Sequence, residues 1–248
     1  MNVLVIGNQK GGTAKTTSTA ALAVLLSRTG QAVHVIDMDP QASLTACFGQ
    51  VDPEGLLYQA MSRREALPVI RLNEYLTLTP SSIDLARGES QFVAETAREY
   101  LLKTCLEKTE SIRGSTVIID SPPSLGVLAV NCLAAARGLA VVVQPGGFEL
   151  RALAHLEQAV HILNDRVNPT LKIVGAIMTN CHSRRSITEQ VREEVLRLYT
   201  DLGQVRSDSK MLYATTEGTI LRLKSSPAMG DYDRVLDRLS EVCPWLRS

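Results

Sequence analysis

The sequence predicts an α/β fold: a single domain over residues 1–248, built on a mostly parallel twisted sheet with helices on both faces. Apolar, β-branched runs alternate along the chain with longer stretches of helical periodicity, which is typical of such a sheet. Some runs are unbroken, such as Val117–Ile119 and Val141–Val143, as expected for strands that are buried on both sides. Connections are short, and no Pro/Gly/Ser-rich linker divides the chain.

The predicted strands are Asn2–Gly7, Ala32–Asp37, Leu76–Thr79, Thr116–Asp120, Ala140–Gln144 and Ile173–Thr179. The predicted helices between them are Thr16–Arg28, Ile83–Leu106, Val127–Ala136, Leu150–Asn164 and Ile187–Tyr199. A last amphipathic helix is predicted from Tyr232 to about Leu246. Residues 49–75 are predicted to hold short helices.

Composition narrows the range of function classes. The 26 acidic and 26 basic residues balance, so any DNA binding needs a local basic patch or several subunits. Aromatic residues make up only 4% of the chain, which disfavours a single-strand binder built on stacking platforms. The five dispersed cysteines include no Cys-x-x-Cys pair, which argues against a zinc ribbon or a disulfide framework.

Neither a membrane span nor a secretion signal is predicted. No run approaches the ~20 continuous apolar residues of a membrane-spanning helix. Residues 1–7 lack the charged region and the long apolar stretch of a secretion signal, and they are predicted to form a buried strand. We therefore expect a cytoplasmic protein with no integral membrane association.

A phosphate-binding loop (P-loop) is predicted where the first strand meets the first helix. Its residues are Lys10, Gly11, Gly12, Thr13, Ala14, Lys15, Thr16 and Thr17. Small residues let the backbone curl so that N–H groups face phosphate oxygens, and the positive end of the following helix adds to that field. Lys15 would neutralise charge on the β- and γ-phosphates, the Thr16 hydroxyl would coordinate Mg²⁺, and Thr17 would touch the α-phosphate.

Acidic residues follow two of the predicted strands, Asp37 and Asp39 at one and Asp120 at the other. Ligands of open α/β sheets bind at the carboxyl ends of the strands, so these acids should lie near the loop. We assign Asp120 and Asp39, together with Thr16, to the magnesium ion. Asp39 also suits orienting or deprotonating the attacking water, whereas Asp37 is expected to support the other acids.

The loop has a second lysine, Lys10, five residues before Lys15. Together with the runs Asp37-Met38-Asp39-Pro40-Gln41 and Asp120-Ser121-Pro122-Pro123, it resembles the ParA/MinD group of deviant Walker-A ATPases. The resemblance covers nearly the whole chain and is strongest to the short, Soj-like ParA branch. It implies a P-loop NTPase fold of the deviant Walker type and ATP hydrolysis that is slow and stimulated by a partner.

The resemblance implies a homodimer that shares ATP between its subunits. In that family the first lysine reaches across the dimer to the partner's nucleotide, so Lys10 would act in trans. A second cation in a dry phosphate cleft also stabilises the charge that develops during phosphoryl transfer. Asn180 would read the adenine edge, and the competing interpretation is that it caps the turn after its strand.

Three positions depart from the family pattern. Ala14 stands where the loop more often has glycine, which restricts the backbone. The stretch Val205-Arg206-Ser207 stands in place of Ile-Pro-Arg near the base pocket, which removes the proline that packs on adenine. Arg151 stands where relatives usually have an acid. It could touch a partner's nucleotide, pair with an acid across the dimer, or be solvated.

The resemblance also implies that the ATP-bound dimer binds double-stranded DNA without sequence preference, on the nucleoid. Candidate contacts are Arg184, Arg185, Arg192, Arg197, Arg206, Lys210, Arg222 and Lys224. Acidic residues are interspersed among them, so each alone could be ordinary surface charge. The implied cargo is a plasmid, a chromosome origin or a protein compartment. A ParB-like centromere-binding protein or a cargo adaptor would stimulate hydrolysis.

Two other functions on this scaffold stay open. A MinD-like membrane switch would lay the stretch from Val235 to Leu246 on lipid, although its acidic residues favour packing on the sheet instead. An enzyme similar to the nitrogenase iron protein would need two cysteines for a bridging cluster. Cys105 and Cys132 are present, but nothing around them resembles those ligand loops.

Overall fold

The computed structural model describes residues 1–52, 54–145, 149–180 and 186–247, with the backbone alone for 149–152 and 186–191. These residues form one eight-stranded sheet in the order β3-β4-β2-β5-β1-β6-β7-β8. The strands are β1 Asn2–Gly7, β2 Val33–Asp37, β3 Ile70–Arg71, β4 Leu76–Thr79, β5 Thr116–Asp120, β6 Gly138–Val143, β7 Lys172–Thr179 and β8 Asp201–Val205. Neighbouring strands run parallel except for β3, which is antiparallel to β4. The predicted fold class is confirmed.

Helices cover both faces of the sheet. In the described residues they are α1 Lys15–Arg28, α2 Ser43–Cys47, α3 Leu56–Arg63, α4 Ala86–Gln91, α5 Leu101–Lys108, α6 Val127–Ala135, α7 Glu149–Arg166, α8 Ser186–Leu198, α9 Ser209–Thr216 and α10 Pro227–Val242. Two apolar cores result because successive side chains of a strand point to opposite faces. Val117 and Ile119 of β5 lie in the core that includes α5 and α6, and Ile118 lies in the core that includes α1 and α10.

Strand β1 lies at the centre of the sheet, between β5 and β6. After β1 the chain adds β2 and β4 on one side, and it later adds β6, β7 and β8 on the other. A crevice opens outside the carboxyl ends of the strands where the order reverses, because the connections leave in opposite directions there. The loop after β1 begins at this crevice.

The predicted helix Ile83–Leu106 is wrong as one continuous element. The chain forms α4, interrupts the helix at Glu95, turns through Ala97 at φ 52°, and resumes as α5. Asn131 of α6 stabilises the interruption, since its Nδ2 donates to the Arg98 carbonyl (2.7 Å) and its Oδ1 accepts from the Leu102 N–H (3.0 Å). A buried amide distant in sequence thus replaces hydrogen bonds that a continuous helix would make.

Other boundaries also differ from the prediction. The last helix begins at Pro227 rather than Tyr232, because Ser226 caps it by accepting from the Met229 N–H (3.2 Å). Strand β6 is Gly138–Val143 instead of Ala140–Gln144. Strands β3 and β8 were not predicted, since β3 has only two residues and β8 includes polar residues and a glycine.

His34 is a fully buried residue of β2. Its Nδ1 lies 2.9 Å from the Thr77 hydroxyl and its Nε2 lies 3.0 Å from the Thr79 hydroxyl, both on β4. Because Thr79 donates its own proton to the Pro68 carbonyl (2.7 Å), Nε2 has to be the donor in its pair with Thr79. Burial lowers the pKa of His34 to about 3 from 6.5.

We expect His34 to make the fold sensitive to acid. The unfolded chain takes up a proton on this residue below pH 6.5, whereas the folded chain does so only near pH 3, so stability falls as the pH falls between these values. Between pH 6.5 and pH 5 the free energy of unfolding should fall by about 2 kcal/mol more in the wild type than in His34→Gln. Urea denaturation at both pH values measures this difference, and equal losses would contradict it.

Candidate functional site

The loop between β1 and α1 adopts the left-handed backbone twice. Gly12 has φ 74°, and Ala14 has φ 66° and ψ 29° directly before the first residue of α1. That conformation costs a non-glycine residue about 1–2 kcal/mol, so Ala14 accepts strain that glycine would avoid. The Ala14 carbonyl still accepts from the Ser18 N–H at 2.9 Å, which starts the helix. Gly11 and Gly12 are exposed at the crevice.

Lys15 is the buried cation of this loop, with 7% of its surface exposed. Its Nζ donates to the Lys10 carbonyl at 3.0 Å, so the side chain folds back under the loop. Burial lowers the pKa of the Lys15 ammonium, while the nearby charges of Asp120 and Asp39 act in the opposite direction. Lys10 itself is exposed. The two lysines therefore occupy different environments, one inside the loop and one at its surface.

Thr16 and Asp120 form a direct pair beneath the loop. The Thr16 hydroxyl donates to Asp120 Oδ2 at 2.7 Å, and the Thr19 hydroxyl lies 3.3 Å from Asp120 Oδ1. Asp37 is the direct neighbour of Asp120 across the β2–β5 ladder. Burial and the charge of Asp37 raise the pKa of Asp120 to about 8.

These residues fit a magnesium ion. Across the described chain no group of three or more His, Cys, Asp or Glu could hold a metal by itself. Magnesium in nucleotide sites needs only one or two protein oxygens, because phosphates and water supply the rest. Thr16 and Asp120 offer two such oxygens side by side, and the negative charge crowded around Asp120 would be relieved by a cation.

Asp37 and Asp39 have different surroundings. Asp37 is fully buried; its Oδ2 accepts from the Thr45 N–H (2.8 Å) and hydroxyl (2.7 Å), and its Oδ1 accepts from the Asp39 N–H (3.1 Å). Asp39 is half-buried, and its Oδ1 accepts from the Gln41 N–H at 2.9 Å. Asp37 therefore holds the backbone that presents Asp39 to the crevice.

A cavity of about 290 Å³ opens beside the loop. Its lining residues are Gly12, Ala14, Thr17, Thr179, Asn180, Val205, Arg206, Asp208, Met211, Leu212, Ala228 and Tyr232. Asn180 follows β7 with φ 51°, donates from Nδ2 to Gln144 Oε1 (3.3 Å), and accepts at Oδ1 from the Ser207 hydroxyl (3.2 Å). Asn180 and the Val205–Ser207 stretch thus lie together at this cavity, beside the phosphate-binding loop.

Two contacts near this cavity were missed from the sequence. Arg206 forms a two-bond ion pair with the buried Asp231 of α10. The Tyr232 hydroxyl lies 2.9 Å from the Ser18 hydroxyl, which itself lies 2.8 Å from the Ala14 carbonyl, so α10 is joined to the phosphate loop. Partners this far apart in sequence leave no local signal beyond the residue types themselves.

The basic residues named as candidate DNA contacts separate into three groups. Arg184 and Arg185 lie outside the described residues, as does the side chain of Arg151, the position predicted to face a nucleotide, a partner's acid or solvent. Three others are engaged in ion pairs: Arg192 with Asp201, Arg197 with Glu194, and Arg206 with Asp231. The remaining three, Lys210, Arg222 and Lys224, are exposed in and after α9. Lys210 and Arg222 line one shallow groove of about 370 Å³.

The amphipathic C-terminal helix packs on the sheet. Its residues Tyr232, Val235, Leu236 and Leu239 are 0–2% exposed and belong to the core beside α1. In the described part of the chain no helix is both long enough and apolar enough to cross a membrane. Cys47, Cys105, Cys132 and Cys243 are buried, and Cys181 lies outside the described residues.

The sequence is similar to known proteins over most of its length. The sequence matches the AAA_31 family, an AAA domain, over residues 1–173. It is 31% identical over 233 residues to the sporulation initiation inhibitor protein Soj of Bacillus subtilis (strain 168), covering 92% of this chain and 88% of Soj.

Solved structures share the fold. The cobyrinic acid a,c-diamide synthase of Mycobacterium smegmatis, with bound ATP analog and magnesium, has a TM-score of 0.80 and 31% identity, covering 96% of this chain and 93% of that one. A plasmid partition protein from Borrelia burgdorferi B31, bound to AMPPNP, has a TM-score of 0.86 over 97% of this chain and 98% of that one. At 22% identity, the second likeness shows the fold alone.

Proposed function

This chain belongs to the ParA/MinD family of ATPases, and on that premise we propose that it is a ParA-type positioning ATPase that hydrolyses ATP with Mg²⁺. One observation carries the proposal: the loop cation, the Thr16–Asp120 pair and a base-sized cavity lie together at the carboxyl ends of β1, β5 and β7. The ATPase domain is taken to comprise residues 1–248.

Each part of the crevice has a role in this proposal. The N–H groups of residues 10–17 surround the phosphates, and Lys15 neutralises their charge. Thr16 and Asp120 hold Mg²⁺ together with Asp39, whose charge acts on Asp120. Asp39 also orients the attacking water, because it is half-buried while Asp37 is fully enclosed. Asn180 reads the base at the far end of the cavity.

ATP joins two copies of the chain in this proposal. Lys10 is exposed at the surface of the loop whereas Lys15 is buried inside it, so Lys10 is placed to reach a nucleotide on a second copy. Such a contact gives charge-assisted hydrogen bonds in a cleft from which the partner excludes water. Hydrolysis removes the γ-phosphate and with it a large part of the attraction between the copies.

The ATP-bound dimer is proposed to bind double-stranded DNA through the exposed cations Lys210, Arg222 and Lys224. Nearly neutral overall charge makes one copy a weak DNA ligand, whereas a dimer doubles the patch. A nucleoid-bound dimer could position a plasmid, a chromosome origin or a protein compartment. A ParB-like centromere-binding protein or a cargo adaptor would stimulate hydrolysis.

We expect ATP to be required for binding to DNA of unrelated sequence. Fluorescence anisotropy with duplexes at several salt concentrations measures this. A plot of the logarithm of the association constant against the logarithm of the salt concentration should fall with a slope of about 0.9 for each phosphate contacted. Lys210→Ala/Arg222→Ala should weaken binding at least about tenfold and lower that slope.

The matched control is Arg197→Ala. Because Arg197 is already paired with Glu194, its replacement should change the affinity for DNA by less than about twofold. Equal binding with ADP and ATP would remove the nucleotide switch from the proposal. ATP-dependent sedimentation with anionic liposomes but not with DNA would instead support the MinD-like alternative.

A second candidate is an ATP-dependent metabolic enzyme. The observation that favours it is the 31% identity to the M. smegmatis cobyrinic acid a,c-diamide synthase over 96% of this chain. The two candidates differ in what stimulates hydrolysis. Stimulation by cobyrinic acid and an amide donor, with none by DNA and a partner protein, would select the enzyme.

A further inference from the structure

The wall of the base cavity includes a cation in an unusual setting. Arg206 lines the cavity together with Asn180, and its side chain is 58% exposed. Asp231, the acid that Arg206 pairs with, is only 3% exposed in its side chain. The arginine is therefore anchored on a buried group while much of it stays open to a ligand.

The anchor is rigid. Arg206 Nε donates to Asp231 Oδ2 at 2.7 Å and Nη2 donates to Oδ1 at 2.9 Å, which is the two-bond geometry of a planar guanidinium on a carboxylate. The Arg206 backbone N–H also donates to Oδ2, at 3.0 Å. Three bonds to one carboxylate fix both the backbone and the plane of the guanidinium.

A second arginine completes the arrangement. Arg234 donates to Asp231 Oδ1, so one carboxylate is shared by two cations. Burial alone would raise the pKa of Asp231, but the hydrogen bonds and charge of Arg206 and Arg234 hold it below its usual value. Arg206 lines the cavity and Arg234 is not among its lining residues.

We infer that the guanidinium of Arg206 forms one face of the adenine site and stacks on the base. Arginine stacks on aromatic rings through its flat face, and a group already fixed by Asp231 loses little entropy when it does so. The inference rests on the proposed nucleotide-binding function and adds a residue that determines base affinity.

The edge of the base would meet a fixed amide. Asn180 is oriented by Gln144 at its Nδ2 and by Ser207 at its Oδ1, and a carbonyl oxygen can accept a second hydrogen bond. The adenine amino group can donate to that oxygen, whereas guanine has an oxygen at the same position and is repelled. Arg206 therefore supplies affinity for the base, and Asn180 selects adenine.

The test compares ligands with and without a base. Isothermal titration calorimetry with ADP should show Arg206→Ala raising the Kd about tenfold, the range expected for loss of a desolvated cation–aromatic contact. Inorganic tripolyphosphate with Mg²⁺ should bind the variant and the wild type within about twofold, since it has no base. Arg234→Ala is the matched control: it removes the same charge from Asp231, yet ADP binding should change less than about twofold.

Several outcomes would overturn the inference. One is an Arg206→Ala variant that binds ADP as the wild type does. Equal losses for ADP and tripolyphosphate would show that the variant damages the phosphate loop instead. Equal losses in Arg206→Ala and Arg234→Ala would show that only the shared ion cluster matters. A wild type that binds neither ADP nor tripolyphosphate would overturn the proposed function as well. If the wild type binds both ligands, a negative result for Arg206→Ala overturns only the role inferred for Arg206.

Discussion

Replacing Lys15 with alanine is expected to raise the Kd for ATP at least about 100-fold. Charge-assisted hydrogen bonds contribute about 1.5–3 kcal/mol each, and in the proposed site the Lys15 ammonium makes one to each of two phosphates, so its loss should cost about 3 kcal/mol or more. Lys15 is already buried in the loop, so nucleotide binding costs little additional desolvation free energy for its ammonium group. Calorimetry or a fluorescent ATP analogue measures the effect.

Lys10→Ala is the natural control for that experiment. The Lys10 side chain is exposed, whereas its backbone carbonyl accepts from Lys15, so alanine at position 10 keeps the internal contact. We expect Lys10→Ala to bind ATP within a few-fold of the wild type but to fail to dimerise. A Lys15→Ala protein that binds ATP normally and melts like the wild type would contradict the assigned role of Lys15.

Replacing Asp39 with alanine is expected to leave ATP binding intact and to reduce hydrolysis at least about 100-fold. A side chain that orients or deprotonates the attacking water typically contributes 10²–10⁴-fold to the rate. Because the ATP-bound state then persists, size-exclusion chromatography with ATP should show a long-lived dimer. The wild type should return to monomer as ATP is consumed.

Asp37→Asn is a control that tests whether slow hydrolysis in Asp39→Ala could follow from the loss of any carboxylate after β2. Asp37 is enclosed by Thr45 and the Asp39 N–H, so its replacement should lower the melting temperature, which Asp39→Ala should not do. Glu110→Ala, which removes an acid that precedes β5 in the chain, is a control that should change neither hydrolysis nor the melting temperature. A monomeric Asp39→Ala protein in ATP would contradict the assignment.

The sequence was informative where neighbouring residues determine the structure. A glycine-rich loop between a strand and a helix follows from local rules, and so does the placement of Asp120 at a strand end. The start of α10 was also within reach, because serine before proline is a local capping signal that the prediction overlooked.

Contacts between distant residues could not be predicted in this way. The break before α5 depends on Asn131, whose partners Arg98 and Leu102 lie about thirty residues earlier. The same limit applies to Arg206, whose departure from the family pattern was visible, while its pairing with Asp231 was not. Strand β8 has weak strand propensity and forms because β7 offers it a ladder.

The two borders of the sheet restrict how copies of the chain can meet. One border is the two-residue strand β3, and the other is β8, which has Asp201 at its start and Gly203 at φ 124° in its middle. Short or irregular borders with polar residues resist strand-by-strand growth into fibres. Within the described residues, association by sheet extension is thus disfavoured, and the proposed pairing of two copies at the nucleotide crevice needs neither border of the sheet.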